Sequence, residues 1–401
     1  MANPFPHARR LPLRVLAAAA VSISALALLG GAVVATPGSA LTPAPGPVVT
    51  VSESDCGSDW TPTGAGRQSL SLSDTARDPA EVYLVSPGGG EVYAEVLSLL
   101  PGVPRVMTTT LGGGRYALRC VFTDGTVRTS PARTLAGTAA DPVRGIPPLP
   151  DLDLAGPVNA YRAYVDGGLP ALLADSRRLD ADACAGDLAR ARTDWLTAHL
   201  DYERLGAAYN SFGDFDAAID GTADGLPLGT ADPSWTGFHR IEYGLWHGQS
   251  AAELSRLTHG LVASVQGMIA DFPSADIDPG DLPLRSHEIL ENALQFQLTG
   301  SSDYGSGTAL ATLQANVQGT RAVLATITGL ITPRDPALPG RLDAGFTALD
   351  RDLTADHGPG GAWIPSSALH LTQRQRLDSD LGGLLEQLAT IPDLLQGRPS
   401  A

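Results

Sequence analysis

Trp235-Thr236-Gly237-Phe238-His239-Arg240-Ile241-Glu242-Tyr243-Gly244-Leu245-Trp246 places an imidazole and a carboxylate three residues apart. Asp232 and Pro233 precede the run and Gly248 follows it. An Asp at the N-cap, a Pro at the first helical position and a Gly just past the end predict one helix of about four turns. On such a helix His239 and Glu242 project from one face, which is half of a metal site. Taken alone, the pair reads equally as a satisfied core histidine beside a solvated carboxylate. The neighbours Phe238, Ile241, Leu245 and Trp246 argue for a mostly buried helix, and a buried carboxylate needs a partner.

Two other predicted helices repeat this chemistry. His199 and Glu203 stand four apart, as do His287 and Glu291. Seven histidines lie beyond the first 40 residues, and three of them fall in such pairs. Facing helices of a bundle build metal sites from inward carboxylates and imidazoles in this way. The alternative is surface pairing at i,i+4, worth a few tenths of a kcal/mol.

Around these pairs the chain divides in two. Residues 45–135 read as short strands: Val48–Val51, Leu70–Ser73, Glu81–Val85, Glu91–Val96 and Tyr116–Phe122, with turns at Pro87-Gly88-Gly89-Gly90 and Gly112-Gly113-Gly114. This spacing predicts a small β-sandwich. Gly137 to Pro150 holds four prolines and no periodic pattern, so residues 136–154 are read as a linker. From residue 155 to 401 the period changes to 3.6. Helices are predicted over Tyr161 to about Ala174, Ala183 to about Ala208, Ser250 to before Pro273, and Pro279 to Leu298. Further ones cover about Thr308–Ile331, Pro336–Ala355 and Ser366–Leu395. The fold class is therefore multidomain, an all-β sandwich followed by an all-α helical bundle.

The first 40 residues read as an export signal. Arg9, Arg10 and Arg14 precede an uncharged run from Val15 to Ala35, and Gly38-Ser39-Ala40 offers small residues for cleavage. An uncleaved N-terminal anchor is the competing reading, since the run is long enough to span a bilayer. An exported chain enters an oxidising compartment, where one pair among Cys56, Cys120 and Cys184 can close. Cys56 and Cys120 both fall in the β-rich part and are the predicted pair. The formal net charge is −16, and loss of the three signal arginines takes it to −19. So acidic a surface repels phosphate backbones, which excludes nucleic acid as a partner.

Several motifs fail. His287-Glu288 begins a His-Glu-x-x-His zinc-protease signature, but position 291 is Glu. Asp214, Asp216 and Asp220 lack an EF-hand's Gly and terminal Glu, and are read as a helix-connecting loop, with a second metal position as the alternative. Residues 45–135 contain no His, so a type 1 copper site is not expected there.

Gly237-Phe238-His239-Arg240-Ile241-Glu242 resembles the Gly-x-His-x-x-Glu motif of the imelysin-like family. Tyr202-Glu203-Arg204-Leu205, Phe212-Gly213-Asp214, His287-Glu288-Ile289-Leu290-Glu291 and Leu298-Thr299-Gly300 are similar, in this order, to the EfeO branch of that family. The resemblance implies a cupredoxin-like module ahead of the helical domain. It also implies an extracytoplasmic iron-uptake component working with a membrane iron permease and a haem peroxidase. Carried over by position, the family's metal site falls on Glu203, His239, Glu242 and His287. In the N-terminal module, where some members are proposed to bind metal, only Glu81, Glu91, Glu95 and Cys56 remain as donors.

Three functions compete on these residues. The first is a periplasmic or cell-envelope metal-binding protein that captures iron for a permease and is not an enzyme; zinc or copper would also suit its N/O donors. The second is a metal-dependent peptidase of the imelysin class, with a Glu acting as base on metal-bound water. The third is a structural adhesion protein whose pairs only support packing.

Overall fold

The computed structural model describes residues 46–358 and 362–398. The segment read as an export signal lies outside the described residues.

Among the described residues eight strands form two sheets. Val48–Val51 (β1) runs parallel to Gly66–Asp74 (β2), which pairs antiparallel with Arg105–Leu111 (β5). In the second sheet Ala80–Val85 (β3) lies between Val92–Leu99 (β4) and Gly114–Phe122 (β6), and β6 also pairs with Val127–Thr129 (β7) and Arg133–Leu135 (β8). Val49, Leu70, Leu72 and Met107 from one sheet and Val82, Leu84, Leu118 and Phe122 from the other close a single core, so the region is a sandwich. Cys56 and Cys120 are bonded inside it, and Cys184 is free. β5, β7 and β8 were not legible. Arg105–Leu111 alternates apolar with polar residues only in part, and the last two strands have three residues each.

Ten α-helices follow among the described residues. Ala155–Ala185 (α1) is one 31-residue helix, longer at both ends than the expected Tyr161 to about Ala174. Its buried face, Tyr161, Val165, Leu169, Leu172, Ser176, Leu179 and Ala183, keeps a helical period straight through Pro170. The break comes at Gly186, whose φ of 72° only glycine adopts freely. Leu188–Glu203 (α2) opens on Asp187, whose carboxylate accepts from the Arg190 amide. Asp214–Asp220 (α3) is a helix where a loop was read.

Gly237–Trp246 (α4) has ten residues and is shorter than its flanking signals predict. Asp232 does not cap it. Its carboxylate accepts from the amide and hydroxyl of Ser234, closing a local turn, and Thr236 is extended. Ala251–Asp271 (α5) starts as predicted, with Ser250 accepting from the Glu253 amide. Asp281–Asn292 (α6) continues into a π turn over Ala293–Gln297. Ala309–Arg334 (α7), Leu338–Ala355 (α8), Leu371–Leu388 (α9) and Ile391–Leu394 (α10) complete the array. One apolar core unites these helices, from Tyr161 and Trp195 to Phe346 and Leu388. Among the described residues after 150, extended pairing is limited to a single bridge, His357 with Trp363. No described helix is long and apolar enough to cross a membrane.

The sandwich is fastened to the helices by the C-terminal tail. Arg398 is buried and makes a two-pronged ion pair with Glu95 of β4, through Nε at 2.7 Å and Nη2 at 2.8 Å. Its amide donates to the Leu149 carbonyl, and Arg334 of α7 donates to Pro148. Glu81, Glu91 and Cys56 also have protein partners. The Tyr83 hydroxyl donates to Glu81, the Tyr93 hydroxyl to Glu91, and Cys56 is in the disulfide.

Candidate metal centre

Three helices bring five donors together, four of them buried and Asp220 partly so. On α2, His199 and Glu203 share a face and are 2% and 4% exposed. Trp195, one turn earlier, donates its indole N–H to the Phe238 carbonyl, which ties α2 to α4. On α4, His239 and Glu242 are equally enclosed. Asp220 arrives from the C-terminal end of α3. It can do so because Gly237 has φ +86° and no side chain: a Cβ there would lie 2.2 Å from the Ile219 carbonyl oxygen.

The donor atoms converge. His199 Nε2 lies 3.1 Å from Glu203 Oε1 and 3.2 Å from Asp220 Oδ1, and His239 Nε2 lies 3.8 Å from the same Asp220 oxygen. These are ion-pair separations without hydrogen-bond geometry. Both nitrogens of His199, Asp220 Oδ1 and His239 Nδ1 are buried with no hydrogen-bond partner. Buried polar groups are normally satisfied, so four orphaned atoms on three neighbouring side chains are chemically meaningful. His199, Asp220 and His239 each offer one ligand atom within 4.8 Å of the others. Donors bonded to one ion at about 2.0–2.2 Å stand about 3.0–3.5 Å apart, so the set fits a transition-metal ion after small adjustments.

Glu242 is held differently. Its Oε1 accepts from the amides of Tyr304 at 3.1 Å and Ser306 at 3.0 Å, leaving Oε2 at 3.5 Å from His239 Nδ1. A carboxylate anchored on one oxygen and facing an imidazole with the other orients that ring. Burial alone would raise the Glu242 pKa, but His239 and Ser306 hold it below the usual carboxylate range.

A cavity of ≈ 190 Å³ opens beside the donors, lined by Glu203, Asp216, Asp220, His239, Arg285 and Asn316. A much narrower gap of ≈ 10 Å³ lies against His199, His239 and Glu242. Tyr202 donates to Asp216 Oδ1 at 2.6 Å. Burial, reinforced by Asp220 and Glu203 against the Tyr202 hydrogen bond, pushes the Asp216 pKa up to about 6. Burial would lower the His199 pKa, but Asp220 and Glu203 overcome it and push it up to about 10. Burial would likewise raise Asp220, but His239 and His199 hold it below its ordinary range.

Of the four residues carried over by position, the fold gathers Glu203, His239 and Glu242. His287 stands apart. Arg285, Ile289 and Asn292 line the cavity from one face of α6, and His287 is about 200° around that helix from Arg285. Its Nδ1 faces Glu291 Oε2 at 3.5 Å instead. Sequence reasoning left His199 and Asp220 out of the site. His199 did carry a signal, its i,i+4 spacing to Glu203. Asp220 carried none beyond a run of three aspartates.

The helical array thus carries a central His/carboxylate cluster whose donors could hold a metal ion. Residues 157–280, which hold the whole cluster, match the family model for imelysin, peptidase M75. Over 350 residues the chain is 24% identical to the iron uptake system component EfeO of Escherichia coli K12, spanning 86% of this chain and 90% of that one. The same component from Shigella flexneri matches to the same extent. Both comparisons make the chain similar to imelysin-like proteins of the EfeO type.

Proposed function

We propose that this protein is the exported metal-binding component of an iron-uptake system. It takes iron at His199, Glu203, Asp220 and His239 and passes it to a membrane permease, with a haem peroxidase as a further partner. One observation carries the reading: four orphaned buried donor atoms on three helices beside a polar cavity. Glu242 positions His239 in this scheme. His287, although carried over by position in the family, supplies no ligand in it. Carboxylates with imidazoles suit iron in either oxidation state and also accept zinc or copper. The similarity to EfeO supports iron as the cargo. Metal analysis of freshly purified protein, followed by iron titration of Asp220→Asn and His199→Ala, tests this. Both variants are expected to lose at least about tenfold in affinity. Parental affinity in both places the site elsewhere.

The peptidase designation of the matching family supports a second reading, hydrolysis by metal-bound water with Glu203 as base. Glu203→Gln would then abolish cleavage of a generic peptide while the metal stays bound. A parent chain that cleaves no peptide when metal-loaded removes that reading.

A further inference from the structure

A second group of donors lies where α1 packs against α5. Asp180 and Cys184 are four apart near the end of α1, and His259 projects from α5. His259 Nδ1 is 3.0 Å from Asp180 Oδ1 and 4.0 Å from Cys184 Sγ, and Cys184 Sγ is 3.9 Å from the same Asp180 oxygen. Thr258 donates its hydroxyl to Asp180 Oδ1 at 2.6 Å and holds that carboxylate in place. Cys184 and His259 are exposed and Asp180 is half-buried, so solvent reaches the group freely.

The arrangement excludes a catalytic relay. In a Cys-His-Asp relay the thiol and the carboxylate address opposite nitrogens of the ring. Here both face Nδ1. Three different donors turned toward one point is instead the geometry of a coordination site. Around a tetrahedral ion, with sulfur at about 2.3 Å and nitrogen or oxygen at about 2.0–2.2 Å, the donors stand about 3.3–3.6 Å apart. The observed 3.0, 3.9 and 4.0 Å bracket that range, so side-chain rotations of a few tenths of an ångström close it.

We infer that Asp180, Cys184 and His259 form a surface site for a borderline or soft transition-metal ion such as Zn²⁺, with solvent as the fourth ligand. A thiolate among the donors prefers softer ions, whereas the buried centre offers only nitrogen and oxygen. Without an ion, Nδ1 is also 2.6 Å from the Ser255 carbonyl, an N–H contact that binding must break. As the ion binds Nδ1, the imidazole proton moves through solvent to Nε2, and the thiol proton goes to solvent. This inference does not depend on the role of the buried centre.

Co²⁺ titration of the full chain with its disulfide intact tests the site. Cys56 and Cys120 are bonded to each other, so a thiolate-to-cobalt charge-transfer band reports Cys184 alone. Co²⁺ beyond the equivalent that the buried centre can take up is expected to produce the band, and Zn²⁺ to displace it. Cys184→Ser should abolish it. His259→Ala and Asp180→Asn should each weaken Co²⁺ binding at Cys184 at least about tenfold. No band at saturating Co²⁺, or a smaller loss in either variant, overturns the three-ligand assignment.

Discussion

The α-carbon of Gly237 faces the carbonyl oxygen of Ile219 so closely that a Cβ would lie 2.2 Å from it. This contact seats the start of α4 on the end of α3, and the next residue of α3 is Asp220, which reaches His199 and His239. Gly237→Ala would place a side chain both against that oxygen and at φ +86°. A loss of about 3 kcal/mol or more in chemical denaturation is expected. Any folded fraction should bind metal poorly, because Asp220 is displaced from the histidines. Parental stability and affinity in this variant would show that the contact does not set the site.

His199 and His287 separate two versions of the centre. His199→Ala should weaken metal binding at least about tenfold, and His287→Ala should leave it within about twofold, as measured by competition with a chelator. The reverse result would restore the ligand set expected from the family motif.

The centre also sets a pH dependence. Asp220 and Glu203 hold the His199 pKa at about 10 against an ordinary value of 6.5. A raised pKa means that the proton stabilises the folded metal-free protein. That contribution is complete below 6.5 and is lost as pH rises toward about 10. Metal binding runs the other way, since the ion must displace this proton, and affinity should climb through the same window. Thermal melts without metal, together with Zn²⁺ titrations on a Cys184→Ser background, measure both slopes. Metal affinity that levels off at pH 6.5 would show that His199 is not a ligand.

Arg398 tests the seam between the two parts. Arg398→Ala leaves Glu95 without its guanidinium and should cost about 2 kcal/mol. It should also expose the stretch from Gly137 to Pro150 to proteolysis. An unchanged digestion pattern would show that the sandwich is held by other contacts.

Replacing Cys56 and Cys120 by Ala should destabilise the sandwich by roughly 4 kcal/mol, on the chain-entropy model for a loop of this length. Iron affinity should be unchanged, since all five residues of the centre lie in the helical part. A parallel loss of metal binding would mean that the sandwich supports the site.

Local signals along the chain account for much of this architecture. The change of period from two to 3.6, the Ser250 cap and the glycines at 248 and 300 each act through a residue's own backbone or its immediate neighbours. Pairs at i,i+3 and i,i+4 are local too, because a helix fixes which side chains share a face; this made His199/Glu203 and His239/Glu242 legible as candidate donors. Where such signals compete, packing decides: α1 runs through Pro170 because its buried face repays the kink, and α4 starts five residues after Asp232 because that side chain closes its own turn. Which pairs meet is a matter of helix rotation about axes set by the whole core. His287 has the same spacing to Glu291 as His199 has to Glu203, yet it turns away from the cavity, whereas Asp220 has no local signature and stands between the two histidines. Spacing along a chain determines the face a donor shares, and only the packing of helices decides which faces look at one another.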